Sequence, residues 1–261
     1  MPGLAAVLTA KPNAALASRI TQMAEAMRHE GFHKIEVYHD SSASCAAARV
    51  HIGAVGAEAQ PVFNDDRSVF AFMEGEIYGR DELIRGLRPP RGVSGAISDA
   101  ALLLRLHELK GERFAEDLNE SFLAVLHDRR ENKTIIANDC LGLCAAFYVQ
   151  KDGAIFLASE IKSLLQAAQV SRALNMEKLG QYFLYDGIMA DETLIKDVRR
   201  LPNGSVWTYR DGHLTKKQYF DLAAVIQKTS MNKQEFAEET RRLFLKIMPR
   251  YASGTGVALS L

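Results

Sequence analysis

The sequence lacks the features that mark secreted, membrane-spanning or nucleic-acid-binding proteins. Its three cysteines, an odd and small number in 261 residues, do not suggest a disulfide framework. Its 32 basic and 32 acidic residues cancel, so no charge excess predicts nucleic acid or an anionic membrane as a partner. No apolar run approaches the length of a membrane span, and the opening MPGLAAVLTAKP has no basic region of the signal-peptide kind. We therefore expect a protein of the reducing cytoplasm that binds neither nucleic acid nor membrane.

Short strand patterns, interrupted by a few helices, fill most of the chain. Strands are predicted at 3–9, 35–38, 48–52, 69–73, 122–128, 134–138, 145–151 and 154–158. Helices are predicted from Pro12-Asn13 to Gly31, from Ser98 to Gly111, and at 160–168 and 176–185. Asp152-Gly153, between two of the strands, is a strong hairpin signal. This pattern predicts an α+β fold in which an antiparallel sheet sandwich carries helices on its outer faces.

Several segments, in the same order and spacing, resemble the N-terminal domain of the asparagine synthetases. EGEIYG at 74–79 is similar to the family's NGEIYN, NDCLGLCAAFYV at 138–149 to its RDRLGIKPLYY, and ASEIKSLL at 158–165 to its ASEIKAL. The other similar segments are the opening MPGLAAVL, 98–130 and 180–207. The resemblance covers roughly residues 1–222. It implies a class II glutamine amidotransferase domain with the Ntn-hydrolase fold, a four-layer α-β-β-α sandwich.

The resemblance places the family's catalytic nucleophile at residue 2. In this family an N-terminal cysteine, exposed by removal of Met1, attacks the side-chain amide of glutamine as a thiolate. Here the residue is Pro2, which has no side-chain nucleophile, and none of Cys45, Cys140 and Cys144 lies at a chain terminus. We interpret the glutaminase as inactive. An alternative stays open, in which removal of Met1 leaves a secondary amine that acts as a base or forms an iminium.

The resemblance also assigns the groups around the substrate. Glu74 stands where the family has the asparagine that donates to the oxyanion, and an ionised carboxylate there would repel the developing charge. Gly75 is retained and would supply a backbone N–H, and the retained Glu76 would hold the amino group of glutamine. Arg49 and Asp99 fall where the family clamps the α-carboxylate and the α-amine. The site would then be a degenerate glutamine site.

The retained residues also have a purely structural interpretation. Arg49 and Asp99 would serve equally well as paired charges in a groove, and Glu76 as a hydrogen-bonding carboxylate of a strand or turn. No Cys or His pair has the spacing of a metal site. A glutamine-holding site and a structural charge cluster are therefore both hypotheses at this point.

The C-terminal part of the chain differs in composition from the rest. Residues 232–251 are rich in Glu, Lys and Arg, with Phe236, Leu243 and Ile247 at helical spacing. Residues 256–261 read as a buried strand, similar to the one that precedes the ATP-binding SGG-x-DS loop in this family. We expect a glutaminase-like domain at 1–222, a linker at 223–231 and the truncated start of an ATP-pyrophosphatase-type synthetase domain at 232–261.

Together these features predict the inactive glutaminase-like domain of an asparagine-synthetase-like, ATP-dependent, amide-forming ligase. In having lost the glutaminase machinery, this domain is similar to β-lactam synthetases and lasso-peptide cyclases. We expect no cofactor, no metal and neither glutaminase nor ligase activity in this chain alone. ATP and Mg²⁺ would belong to the synthetase domain, the expected partner in cis or in trans. The alternatives are a module that binds glutamine or a related amino acid or docks onto a partner, an asparagine synthetase that uses ammonia and, for assembly, a homodimer.

Overall fold

The fold is described by a computed structural model. It describes residues 3–39, 44–53, 58–85, 87, 97–118, 120–168, 170–225 and 231–251. Pro2, much of the predicted linker and the predicted strand at 256–261 lie outside the described residues.

Two six-stranded antiparallel sheets form the centre of the fold. The first has the order β10-β8-β9-β1-β3-β2 and the second the order β12-β11-β7-β6-β5-β4. The strands of the first sheet are β1 (Gly3–Thr9), β2 (Lys34–His39), β3 (Cys45–His51), β8 (Phe147–Lys151), β9 (Ala154–Ala158) and β10 (Arg199–Arg200). Those of the second sheet are β4 (Val62–Phe63), β5 (Val69–Ile77), β6 (Glu120–Asp128), β7 (Lys133–Asn138), β11 (Ser205–Arg210) and β12 (His213–Gln218).

Helices cover the outer face of each sheet. The helices are α1 (Leu16–Met27), α2 (Arg80–Arg85), α3 (Asp99–Lys110), a 3₁₀ helix (Gly111–Asp117), α4 (Ile161–Ala167), α5 (Met176–Tyr185), α6 (Leu222–Val225) and α7 (Lys233–Tyr251). Helices α1 and α4 pack on the first sheet, where Ile20 and Met23 share a buried cluster with Phe156. Helix α3 packs on the second sheet, where Leu103 joins a cluster with Phe122. The result is the predicted four-layer α-β-β-α sandwich.

The space between the sheets is filled by the alternate residues of each strand. Leu4, Ala6 and Leu8 of β1 meet Phe70 and Phe72 of β5 in one buried cluster. Because successive side chains of a strand point to opposite faces, the intervening residues pack against the helices on the outer faces of the sheets. Full burial of a large apolar side chain contributes roughly 1.5–3 kcal/mol, so this central layer is a main source of stability.

Within the described residues the predicted strands and helices are present, and their ends differ in ways with physical causes. Ser98 caps α3 as predicted, its Oγ accepting from the N–H of Ala101 at 3.2 Å. Helix α1 ends at Met27, short of Gly31, because Arg28 turns to an extended conformation. Strand β5 runs on past its apolar stretch to Ile77, since its ladder with β6 continues to the pair Ile77 and Glu120. Glu74, Gly75 and Glu76 are therefore strand residues.

Candidate functional site

The apolar layer between the two sheets becomes charged at one end. On β3 the inward row of residues begins with apolar side chains and ends with Arg49 and His51. On β5 the inward row begins with Phe70 and Phe72 and ends with Glu74. The two rows therefore bring charged side chains from opposite sheets to the same place.

Arg49 is the centre of this charge cluster. Its side chain is buried, and its Nε lies 3.6 Å from Oε2 of Glu36 on β2 and 3.9 Å from Oε2 of Glu74. Both distances are ion-pair distances, longer than the 2.7–3.2 Å of an N–H···O hydrogen bond. Among the described residues, the buried Nε of Arg49 and Oε2 of Glu36 have no hydrogen-bond partner. The guanidinium thus already faces two carboxylates of its own chain.

Burial controls the protonation of the cluster. It raises the pKa of Glu74 to about 7, with the nearby Glu36 adding to the rise and Arg49 opposing it. Burial lowers the pKa of His51, and so does the positive charge of Arg49, while Glu36 opposes the change. At neutral pH His51 is therefore an uncharged imidazole, and Glu74 is in part protonated. The sequence alone had indicated a fully ionised Glu74.

Gly75 is required by close backbone packing. Its φ is +116°, and a Cβ built on it would lie 1.9 Å from the carbonyl oxygen of Ser121 and 2.8 Å from Cα of Phe122. No side chain fits in this space. The approach of β5 to β6 is therefore a sufficient physical reason for glycine here, independent of any substrate.

Asp99 occupies the first turn of α3 and ties that helix to the end of β5. Its Oδ2 accepts from the N–H of Ile77 at 2.9 Å, and its Oδ1 lies 2.9 Å from Nη1 of Arg80. Arg80 also donates to the carbonyl oxygen of Ile97. Burial raises the pKa of Asp99 and Glu76 adds to the rise, while the Ile77 hydrogen bond and Arg80 oppose it. Asp99 thus already has a cationic partner.

The structure brings the predicted site residues into two groups. Arg49 meets Glu74, and Asp99 lies at Ile77, directly after the exposed Glu76. Sequence reasoning missed the three residues that complete these groups. They are Glu36, His51 and Arg80.

One of the missed residues had a usable signal, and another was hidden by a misleading one. His51 is two residues after Arg49 on a strand and so shares its face. Glu36 shares a face with Tyr38, whose ring packs in the layer between the sheets, while Val37 is exposed. A charged residue between Ile35 and Val37 is normally assigned to the solvent face, so the apolar pattern was misleading at β2.

Cys144 is the cysteine that lies beside the cluster. Its Sγ is 3.4 Å from Oγ of Ser121 and 4.0 Å from the carbonyl oxygen of Glu74. Burial raises its pKa, with the charges of Asp139 and Glu74 adding to the rise. It is therefore a protonated thiol at neutral pH, which is a poor nucleophile.

No group of three or more His, Cys, Asp or Glu side chains within the described ranges has a geometry that could hold a metal ion. In the same part of the chain, no helix is both long and apolar enough to cross a membrane.

Comparison with known proteins identifies the family. Residues 1–220 match the glutamine amidotransferase domain family. The chain belongs to this family.

Curated relatives are asparagine synthetases described as glutamine-hydrolysing. One from Oryza sativa subsp. japonica is 33% identical over 170 residues, which are 63% of this chain and 28% of that protein. Synthetase 1 of Bacillus subtilis is 28% identical over 224 residues, covering 84% of this chain and 35% of that protein. The chain therefore spans about a third of the length of these relatives.

Solved structures show the same fold at low sequence identity. The glutamine phosphoribosylpyrophosphate amidotransferase of Bacillus subtilis, solved with ADP and GMP, has a TM-score of 0.59 and 13% identity. The match covers 83% of this chain and 49% of that one. A structure described as the allosteric regulatory enzyme of purine biosynthesis has a TM-score of 0.57 with the same identity and coverage. The fold is thus the Ntn-hydrolase-like sandwich of class II glutamine amidotransferases, as the resemblance implied.

Proposed function

We propose that this glutamine amidotransferase domain does not hydrolyse glutamine and serves as the non-catalytic domain of an ATP-dependent, amide-forming ligase of the asparagine-synthetase type. The single observation that carries the proposal is the position of Glu74. Its carboxyl group enters the layer between the sheets and faces Arg49, the residue that the resemblance assigns to the α-carboxylate of glutamine. The same replacement removes the amide that the resemblance assigns to the oxyanion.

Internal pairing at both charged groups supports the proposal. An amino acid presents a carboxylate and an ammonium group, which require a cation and an anion in the protein. Arg49 is faced by Glu36 and Glu74, and Asp99 by Arg80. A ligand would have to displace these partners or add a third carboxylate to the two that already face Arg49. Like charges brought together in a buried site raise the free energy, so binding of an amino acid is disfavoured.

The sequence at residue 2 supports the loss of catalysis independently. Pro2 offers no thiol or hydroxyl, so no acyl-enzyme can form on its side chain. Cys144, the cysteine beside Glu74, is held as a thiol by burial and is not an N-terminal residue. The proposal therefore combines the loss of the nucleophile with a changed substrate site.

The relatives support the assignment to a ligase. They are named asparagine synthetases, and they extend well beyond the region that matches this chain. We propose that the partner is a synthetase domain, in the same polypeptide or in another, and that ATP and Mg²⁺ act there. Nitrogen would then come from ammonia or from an amine of the substrate. The three free cysteines fit a reducing cytoplasm.

One observation favours a second candidate, a module that binds an amino acid without catalysis. The buried Nε of Arg49 has no hydrogen-bond partner among the described residues, and neither has Oε2 of Glu36. A small polar ligand that accepts from the first atom and donates to the second would satisfy both. Calorimetry with glutamine distinguishes the two candidates.

Release of glutamate from glutamine tests the catalytic part of the proposal. The purified chain, with its N-terminus established by mass spectrometry, should release no glutamate above the rate of buffer alone. Synthetase 1 of Bacillus subtilis, described as glutamine-hydrolysing, serves as the positive control. Glutamate release that scales with the concentration of this chain would overturn the proposal.

A further inference from the structure

Helix α5 buries a charge and exposes its apolar side chains. Lys178 is only 6% exposed, and its Nζ lies 2.7 Å from Oε2 of Glu192. Phe183, on the same helix, is 79% exposed. An ordinary surface helix has the reverse arrangement, with its apolar stripe toward the core. Helix α5 therefore turns a charged side chain toward its own domain and an apolar one toward solvent.

The apolar side chains form a stripe with helical spacing. Met176, Leu179 and Phe183 are at positions i, i+3 and i+7, so they lie on one face. Met176 and Phe183 are exposed and Leu179 is half-buried, with the exposed Leu184 beside them. Lys178 points to the opposite side, toward the domain. Further exposed apolar side chains surround the stripe, namely Leu174, Tyr182, Tyr185 and Met189. We call Met176, Leu179, Phe183 and Leu184 the outer face of α5.

The short length of α5 indicates that this outer face is covered in the working protein. The helix has 10 residues and is fixed at its N-terminal end, where Asn175 accepts from the N–H of Lys178 and donates its own N–H to Leu194. Helices of fewer than about 12–15 residues are marginal in water and depend on packing of their apolar face. Only Lys178 of α5 is buried within the described chain.

The composition of this region is that of an interface. Aromatic residues and methionine are enriched in the centres of protein interfaces, whereas charged residues are depleted there. An aromatic side chain buries roughly 150–250 Å² when it is fully covered. Covering Tyr182, Phe183 and Tyr185 would thus bury on the order of several hundred Å², comparable with the largest apolar patch of a typical monomer.

Helix α7 indicates which partner covers the outer face. It lies outside the 1–220 family match, and none of its residues is buried. Its apolar Phe236, Leu243 and Ile247 share one exposed face. The described chain thus has two uncovered apolar helix faces, one inside and one outside the family match. The match covers only 28–35% of each relative, so most of each relative lies outside the region that matches this chain.

We propose that the outer face of α5 is the docking surface for the folded domain that α7 begins, whether that domain is in the same polypeptide or in another. The inference rests on the proposed function for the identity of this domain as an ATP-dependent synthetase. It adds the surface that holds the two domains together, with Phe183 as its central contact.

The test is site-specific photocrosslinking in the organism from which the sequence comes. The protein is expressed from its full natural gene with p-benzoylphenylalanine in place of Phe183. In a matched control, p-benzoylphenylalanine replaces Leu109 instead. Leu109 is comparably exposed at 66%, but it lies on α3, over the outer face of the other sheet. Peptide mapping identifies the crosslinked segment. The expected result is a crosslink from position 183 to an ATP-dependent synthetase domain, with none from position 109.

Substitutions complete the design. F183D should lower the recovery of the crosslinked or co-purified synthetase domain at least tenfold, whereas L109D should leave it unchanged. Thermal unfolding establishes that both variants are folded. A crosslink from position 183 to a second copy of this chain, to an unrelated protein or to nothing overturns the proposal, as does equal recovery with F183D. Glutamate release by the chain would overturn the proposed function and leave this docking surface intact, so the two failures are distinguishable.

Discussion

Glu74 and Arg49 face each other across the two sheets, with 3.9 Å between Oε2 of the first and Nε of the second. Glu74 comes from β5 and Arg49 from β3, so the pair joins the two halves of the sandwich. The pair lies at the end of the layer between the sheets, at the position that the family resemblance assigns to substrate. A side chain of the protein thus provides the negative charge that a ligand would bring.

The first prediction concerns the pH dependence of stability. The pKa of Glu74 is about 7 in the folded protein and near 4.5 ordinarily. Between these values the unfolded state has lost the proton that the folded state keeps, so stability falls as pH rises and then levels off above about pH 7. Glu74→Gln lacks this titration. The difference in free energy of unfolding, Glu74→Gln minus wild type, should therefore increase by up to roughly 3 kcal/mol from pH 4.5 to pH 8.

Urea unfolding of wild type and Glu74→Gln across this pH range provides the measurement. Other groups titrate in both proteins and cancel in the difference. A difference that does not change with pH would show that Glu74 has an ordinary pKa.

The second prediction concerns the close approach of β5 to β6. Gly75→Ala places a Cβ 1.9 Å from the carbonyl oxygen of Ser121 at a φ of +116°. Strand separation or backbone rearrangement must follow, with an expected loss of more than about 2 kcal/mol. Gly31→Ala is the control, because a Cβ there meets nothing within 4 Å. Equal unfolding midpoints for the two variants would contradict the tight packing.

The third prediction concerns the loop that holds Cys144 beside Glu74. The buried carboxylate of Asp139 accepts from three backbone N–H groups, those of Leu141 at 3.1 Å, Leu143 at 2.9 Å and Cys144 at 3.0 Å. Asp139→Ala should cost about 3 kcal/mol or more. Asp139→Asn keeps one acceptor oxygen and should cost about 1–2 kcal/mol.

Chemical denaturation measures both changes at Asp139. Asp152→Asn is the control, because Asp152 lies in an exposed turn at a φ of +51° that asparagine also adopts. It should change stability by less than about 0.5 kcal/mol. An Asp139→Asn variant as unstable as Asp139→Ala would indicate that the charge of Asp139, rather than the number of accepting oxygens, holds the loop.

Much of the fold could be predicted because local and global patterns agree along the chain. The apolar runs of β1, β5 and β9 are buried, and Asp152-Gly153 forms the turn between β8 and β9. The family motifs then fixed the arrangement of layers, which strand counting alone leaves open. The short helix α2 was missed, since its six residues bury no side chain and so leave no apolar period.

The candidate site was predictable only in part, because its contacts join residues far apart in sequence. Arg49 and Glu74 were each singled out, but nothing in the local pattern shows that they meet across the sheets. The raised pKa of Glu74 follows from burial beside Glu36, and β2 does not show by its sequence that Glu36 points inward. Arg80, the partner of Asp99, carries no signal beyond its charge.

Isothermal titration calorimetry with L-glutamine tests the central claim most directly. At pH 8, Glu74 is mostly ionised, and the chain should show no saturable heat up to about 10 mM glutamine. Such a result excludes a Kd near 1 mM, which corresponds to a binding free energy of about −4.1 kcal/mol. Arg49→Ala should give the same flat titration. Saturable binding by the wild type that is lost in Arg49→Ala would contradict the account, since it would show that Arg49 still holds an amino acid despite Glu74.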